Sequence, residues 1–134
     1  MPHVSRIRLD KKAERNLVKN LSLILTKIKK QDEMDSFLIS LLTPTERLML
    51  AKRIAIIILL KEGTPESHIA SALHVTRVTV SRLQFFWEAR GAGYEIALKV
   101  LANEKLMKEF KEGLLKLVAY SIRAAGGYVK PTIV

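Results

Sequence analysis

Six side chains between residues 76 and 82 have types that suit contact with a DNA groove. They are Thr76, Arg77, Val78, Thr79, Ser81 and Arg82. An arginine can donate two hydrogen bonds to a guanine edge, threonine and valine offer methyl groups to thymine, and hydroxyl groups can donate to phosphates. The cluster therefore predicts a DNA-binding surface, and the sequence leaves open which residue makes which contact.

The stretch 66–86 is typical of a helix-turn-helix, in which the N-terminal half of the second helix enters the major groove. Large apolar residues at helical spacing would close the corner between the helices, namely Ile69, Leu73, Val75, Val80 and Leu83. Thr76 is expected to cap the second helix, and His74 stands in the turn, where glycine is common. Histidine tolerates a left-handed backbone better than most residues. The alternative is an exposed helical hairpin of a protein-binding domain.

The charge balance favours a polyanionic partner, and double-stranded DNA is the one expected. Lys and Arg number 23 against 13 Asp and Glu, which gives a net charge of +10. Each phosphate that a basic protein neutralises releases condensed counterions. The basic residues of segment 1–9 could form an arm along the phosphate backbone, or they could belong to a frayed terminus. Lys52 and Lys61 could add further backbone contacts.

Enzymatic, metal-binding and membrane classes find no support in the sequence. The chain has no cysteine, so disulfides and thiolate chemistry are excluded. His3, His68 and His74 lack the partner at i+4 that would build a helical metal site, and no glycine-rich phosphate loop is present. The apolar run Ile54–Leu60 is far shorter than the roughly 20 residues of a membrane span, and no secretory signal precedes it. We expect a cytoplasmic protein that is not an enzyme.

Helical patterns also precede and follow the 66–86 stretch. Residues 10–30 carry one apolar stripe behind Asp10 as N-cap, residues 31–35 form a polar break, and a short helix follows. After the helix-turn-helix, Gly91 and Gly93 are expected to end a helix, and a further helix covers residues 94–101. The domains expected are a basic arm at 1–9, a helical domain at 10–103 and an extension at 104–134, whose helix starts behind Asn103.

The helix before the helix-turn-helix has clear ends and an apolar middle. Thr43 and Glu46 form a capping-box pattern at its start, and Gly63 supplies its end, after which Thr64 is expected to cap the next helix. The segment Ile54–Leu60 between these ends is apolar all round and must be buried on every side. A homodimer core is the simplest explanation, and the central helix of a monomer is the alternative.

Residues 41–94 resemble the tryptophan repressor superfamily and, within it, the shorter-turned group of Trp-repressor-like bacterial proteins. The motifs that carry the resemblance are LLTPTERLMLAKRIAIIILLKEG, ESHIASALHVTRVTVSR and GAGY. The resemblance implies an all-α, intertwined homodimer with a helix-turn-helix in each subunit. Two recognition helices would then enter successive major grooves about 34 Å apart, so the operator should be roughly palindromic.

The resemblance also implies a corepressor site, in which L-tryptophan lies between two arginines, near a threonine and backbone carbonyls. The matching positions are Thr43, Arg53 and Arg82, with Leu42 supplying a carbonyl. Leu83 and Phe86 stand where the family has a glycine and a serine, and both add bulk where an indole would lie. We therefore expect no L-tryptophan binding and no cofactor.

The sequence as a whole predicts a sequence-specific DNA-binding transcriptional regulator that acts as a repressor. The alternative is a helical protein-interaction module with a basic face and only non-specific affinity for DNA.

Overall fold

The structure is a computed structural model that describes residues 7–102 and 104–125, and every regular secondary-structure element within these ranges is an α-helix. The helices are α1 (Lys11–Lys27), α2 (Gln31–Leu41), α3 (Pro44–Lys61), α4 (Glu66–Leu73), α5 (Arg77–Arg90), α6 (Ala92–Leu101) and α7 (Lys105–Ala125). None of these helices is long and apolar enough to cross a membrane. The expected cap at Asn103, the first six residues of the basic arm and the segment after residue 125 lie outside the described residues.

The chain divides into two compact units, Met1–Arg47 and Leu48–Val134, and the boundary lies within the predicted 10–103 domain. In the first unit neither α1 nor α2 has a buried residue. The predicted polar break at 31–35 is wrong, because these residues begin α2. Asp32 and Glu33 lie in the first turn of that helix, where negative charge favours the N-terminal end of the helix dipole. Asp10 occupies the N-cap of α1 as expected, although its side chain makes no capping hydrogen bond.

The capping box predicted at the start of α3 is confirmed. The Glu46 backbone N–H donates to Thr43 Oγ1 over 3.1 Å, and the Thr43 N–H donates to Glu46 Oε1 over 2.8 Å. The hydrogen bonds from the Thr43 backbone and then from its hydroxyl lower the pKa of the Glu46 carboxyl. These reciprocal bonds satisfy donors that the helix itself cannot use.

The Ile-rich middle of α3 forms the core of the second unit. Residues Ala55 to Leu59 are buried, with Ile57 and Leu59 at 0 % exposure. They pack in one cluster with apolar residues of α4, α5, α6 and α7, namely Ile69, Ala70, Ala72, Leu73, Val80, Leu83, Leu98, Leu114 and Val118. The inference that this segment needs a second subunit for its burial is therefore wrong for residues 55–59. Helix α7, which the sequence predicted as a helix without assigning it a role, supplies part of the cover.

Glycines end two of the helices, and one expected cap is absent. Gly63 adopts φ 83° at the end of α3, a backbone conformation that favours glycine. Thr64 does not cap α4, because Pro65 occupies the N-cap position and has no side-chain group to bond with. Gly91 ends α5, and a Cβ there would collide with the backbone and ring of Trp87. Gly93 does not end a helix, since it lies inside α6.

Candidate nucleic-acid interface

The turn between α4 and α5 has the geometry of a helix-turn-helix corner. His74 takes the left-handed conformation expected of it, at φ 55° and ψ 51°, and its backbone N–H bonds to the Ala70 carbonyl. The Val75 N–H donates to the same carbonyl over 3.1 Å. Thr76 then caps α5, because its Oγ1 accepts the Thr79 N–H over 3.1 Å. These bonds satisfy backbone groups at both ends of the turn and fix where α5 begins.

The burial of two residues decides which side of α5 faces outward. Val80 is 0 % exposed and Leu83 is 7 % exposed, and both pack in the core of the second unit. All six residues predicted to contact DNA are exposed, namely Thr76, Arg77, Val78, Thr79, Ser81 and Arg82. Residues four apart share a helix face, so Arg77 stands in one row with Ser81, and Val78 stands in the next row with Arg82. We call these six residues the recognition surface.

The two arginines of the recognition surface have no hydrogen-bond or ion-pair partner within the described chain. Their donors are thus available to an external acceptor, and a guanidinium is a donor that carries a permanent charge. The hydroxyls differ from the arginines, because several are already engaged. Ser81 Oγ donates to Glu66 Oε2 over 2.7 Å, and the Oγ1 atoms of Thr76 and Thr79 lie 2.9 Å apart.

Glu66 contacts the recognition surface, and the sequence did not predict this contact. It is the first residue of α4, where a negative charge is favourable at the helix N-terminus. The contact with Ser81 joins residues 15 positions apart on two helices. Helical spacing describes neighbours on one helix, so no signal in the spacing could have revealed this pair.

A second polar cluster holds the C-terminal half of α5 to its neighbours. The Trp87 indole N–H donates to Glu95 Oε1 over 3.0 Å, and Lys61 Nζ lies 3.3 Å from Glu95 Oε2. Three helices, α3, α5 and α6, therefore meet at one carboxylate. The hydrogen bond from Trp87, followed by that from Lys61, lowers the pKa of the Glu95 carboxyl. Lys61 is thus ion-paired within the chain, whereas the sequence offered it as a phosphate contact.

The three aromatic residues at the end of α5 have different environments. Trp87 packs against the core, whereas Phe85 is 64 % exposed and Phe86 is 38 % exposed. The Arg90 guanidinium lies over the Phe86 ring, 5.1 Å from its centroid. This cation–π contact occupies one face of Phe86.

The residues matched to a corepressor site lie in different units. In the first unit the Thr43 side chain is engaged in the capping box, and the Leu42 carbonyl accepts a hydrogen bond from Arg47 Nη1 over 3.0 Å. In the second unit Arg53 and Arg82 are both exposed. Leu83, whose bulk was expected to oppose an indole, points into the core of that unit.

Comparison with known proteins gave one match. A family model described as Trp repressor protein matches residues 16–102, which is more than half of the chain. The matched span runs from within α1 to the end of α6, so it contains the whole helix-turn-helix and leaves α7 outside. Neither a curated protein nor a solved structure matches the chain significantly.

The Glu95 cluster predicts a pH-dependent contribution to stability. Because the folded-state pKa of Glu95 lies below its ordinary value of 4.5, its stabilisation is fully present above that value and is lost as the pH falls through the folded pKa. Glu95→Gln should therefore lower the free energy of unfolding at about pH 7, and the difference from wild type should shrink toward about pH 3.5. Urea unfolding followed by the fluorescence of Trp87, the single tryptophan, measures this.

Glu109→Gln is the matched control, since Glu109 is exposed and has no partner within the described part of α7. This variant should follow wild type at every pH. A Glu95→Gln deficit that stays constant down to about pH 3.5 would contradict the role given to the carboxylate.

Proposed function

Since the chain belongs to the Trp repressor family of helix-turn-helix DNA-binding regulators, we propose that it is a repressor that recognises a specific, roughly palindromic operator. The observation that carries this proposal is the pair of exposed, unpartnered arginines, Arg77 and Arg82, within the first two turns of α5. A helix-turn-helix directs this part of its second helix at base edges. Permanently charged donors in that position suit the acceptors of guanine.

The recognition surface supports distinct contacts along the groove. Arg77 and Arg82 lie in adjacent rows of α5 and can each bond the O6 and N7 atoms of a guanine. Val78 is 64 % exposed and offers its methyl groups to thymine. A well-placed bidentate contact contributes about 1–3 kcal/mol of discrimination against the wrong base. The net charge of +10 adds a non-specific attraction, which brings the protein to DNA but does not select a sequence.

The first unit supports a homodimer. Helix α1 carries Leu17, Leu21 and Ile24 on one face, with exposed fractions of 57, 41 and 44 %, and no described residue of its unit buries them. Exposed apolar surface is unfavourable by about 25 cal/mol per Å² relative to its burial. A second copy of the chain would supply the missing cover. The two recognition helices of such a dimer could then reach successive major grooves.

Selection from random double-stranded oligonucleotides tests the operator proposal. Wild type should enrich a palindromic consensus, and Arg77→Ala and Arg82→Ala should each lose the base preference at one position of the half-site. The loss corresponds to about 1–3 kcal/mol per contact. Arg15→Ala, on α1, is the control for a lost positive charge, and it should leave the consensus unchanged.

The same selection separates the two candidate functions. An interaction module with only non-specific DNA affinity would enrich no consensus, although its binding would still weaken steeply with salt. A wild-type consensus that neither arginine variant changes would show that the recognition surface has been assigned to the wrong residues.

Replacement of Leu21 by Asp tests the dimer. A charge in the centre of the apolar face of α1 should prevent its burial, so the variant should sediment as a 15.2 kDa monomer while wild type sediments at about twice that mass. Ser22→Asp places the same charge on the next residue of α1 and should remain dimeric. A monomeric wild type at micromolar concentration, or a dimeric Leu21→Asp variant, would contradict the proposal.

We also propose that DNA binding needs no L-tryptophan. Thr43 and the Leu42 carbonyl already have intramolecular partners, and Phe86 presents a bulky ring on the surface of α5. Calorimetric titration of wild type with L-tryptophan should show no saturable heat. Phe86→Ser, which restores the smaller residue of the family, is the matched variant that tests the contribution of the ring. Micromolar binding by wild type would refute this proposal.

A further inference from the structure

We infer that Glu66 and Ser81 together form an acceptor site that selects a base with an exocyclic amino group, cytosine or adenine, at one position of each operator half-site. This inference rests on the proposed function and adds a specificity element to it. The sequence offered the Ser81 hydroxyl as one candidate donor to phosphates, left the individual contacts open, and gave Glu66 no part in recognition. The contact between the two side chains bears on both residues.

The hydrogen bond from Ser81 to Glu66 determines what Ser81 can offer to DNA. A serine hydroxyl has one proton and two lone pairs. Ser81 Oγ gives that proton to Glu66 Oε2 over 2.7 Å, a length typical of a strong bond to a carboxylate. The exposed oxygen of Ser81 is left with its lone pairs, and the adjacent carboxylate also has only lone pairs to offer. The pair is therefore an acceptor without a free donor.

The position of the pair brings it to base edges. Ser81 is the fifth residue of α5, is exposed, and lies one turn after Arg77 in the same row. Glu66 is the first residue of α4 and is half-buried. Its carboxylate contacts Ser81 from this neighbouring helix. A negative charge here would repel a phosphate, which makes a backbone contact unfavourable for Ser81.

The chemistry of the major groove then selects the base. Cytosine presents its N4 amino group and adenine its N6 amino group, whereas guanine O6 and thymine O4 are acceptors. A site that has only acceptors is complementary to cytosine and adenine, and it is unfavourable for guanine O6 and thymine O4. The two arginines of the recognition surface have the reverse preference, because Arg77 and Arg82 carry only donors. For a cytosine, the paired guanine offers O6 and N7 to an arginine such as Arg77.

A brace between α4 and α5 is the competing explanation of the same hydrogen bond. A brace would hold α5 in place, so its loss would weaken binding to every sequence by the same factor. An acceptor site would instead change the preference at one position and leave the others intact. Base preference by position therefore distinguishes the two roles, whereas overall affinity does not.

The test is selection from random double-stranded oligonucleotides with wild type, Ser81→Ala and Glu66→Gln. Wild type should show one half-site position enriched in cytosine or adenine, and the sequenced pool decides between these two bases. In both variants the discrimination against guanine and thymine at that position should fall about tenfold, while every other position keeps its preference. Glutamine at position 66 adds an amide donor, which guanine O6 and thymine O4 can accept.

Two further variants complete the experiment. Glu88→Gln removes the same charge from the exposed side of α5 and should keep the wild-type consensus. Among the described residues, Glu88 accepts a hydrogen bond from Gln84 alone. Ser81→Thr keeps the hydroxyl and should keep the preference that Ser81→Ala loses. A wild-type consensus that changes in Arg77→Ala but is identical in Ser81→Ala and Glu66→Gln would overturn this inference and leave the proposed function standing. A wild type without any consensus would overturn both.

Discussion

The burial of the Ile-rich middle of α3 is the constraint on which the second unit depends. This segment has no polar side, and Ile56, Ile57 and Leu59 are at most 1 % exposed. Burying each such side chain stabilises the fold by about 1.5–3 kcal/mol. Helices α4 to α7 must therefore present apolar residues to it, and α5 does so with Val80 and Leu83. Once these two residues point inward, the helical period alone turns Arg77, Val78 and Arg82 outward, so the recognition surface is a consequence of the core.

Local signals were sufficient to predict the parts of the fold that depend on neighbours in sequence. The caps at Thr43 and Thr76, the left-handed turn at His74 and the glycine end at Gly63 were all expected, because each depends on residues within about five positions. Three local expectations were wrong, namely the polar break at 31–35, the cap at Thr64 and the helix end at Gly93. The larger error arose where residues distant in sequence decide the burial. Helix α7 covers part of the core, although it lies outside the stretch 41–94 that carries the family resemblance. The burial of the Ile-rich segment was therefore attributed to a second subunit, whereas the chain itself supplies it.

In the candidate site, too, the features set by sequence neighbours could be predicted, and those set by distant residues could not. The outward residues of α5 could be predicted, since spacing shows which positions face the core and leaves the rest exposed. Their partners could not be predicted, because Glu66 reaches Ser81 from another helix and Glu95 reaches Trp87 across the break between α5 and α6. Residue type shows which hydrogen bonds a side chain can donate or accept. Only the folded chain shows which of these donors and acceptors already have an intramolecular partner. For Ser81, the hydroxyl proton that a phosphate could have accepted is already bonded to Glu66.

In the proposed dimer the two units have different roles, because the second unit carries the recognition surface and the first carries the apolar face that a second copy would bury. The angle and outward face of α5 are set by contacts within the second unit of a single chain, including the Trp87–Glu95–Lys61 cluster. The exposed apolar face of α1 has no role in those contacts, and its burial by a second copy would bring two recognition surfaces into one complex. Base preference within a half-site should therefore belong to the monomer, whereas affinity for the palindrome should depend on the dimer.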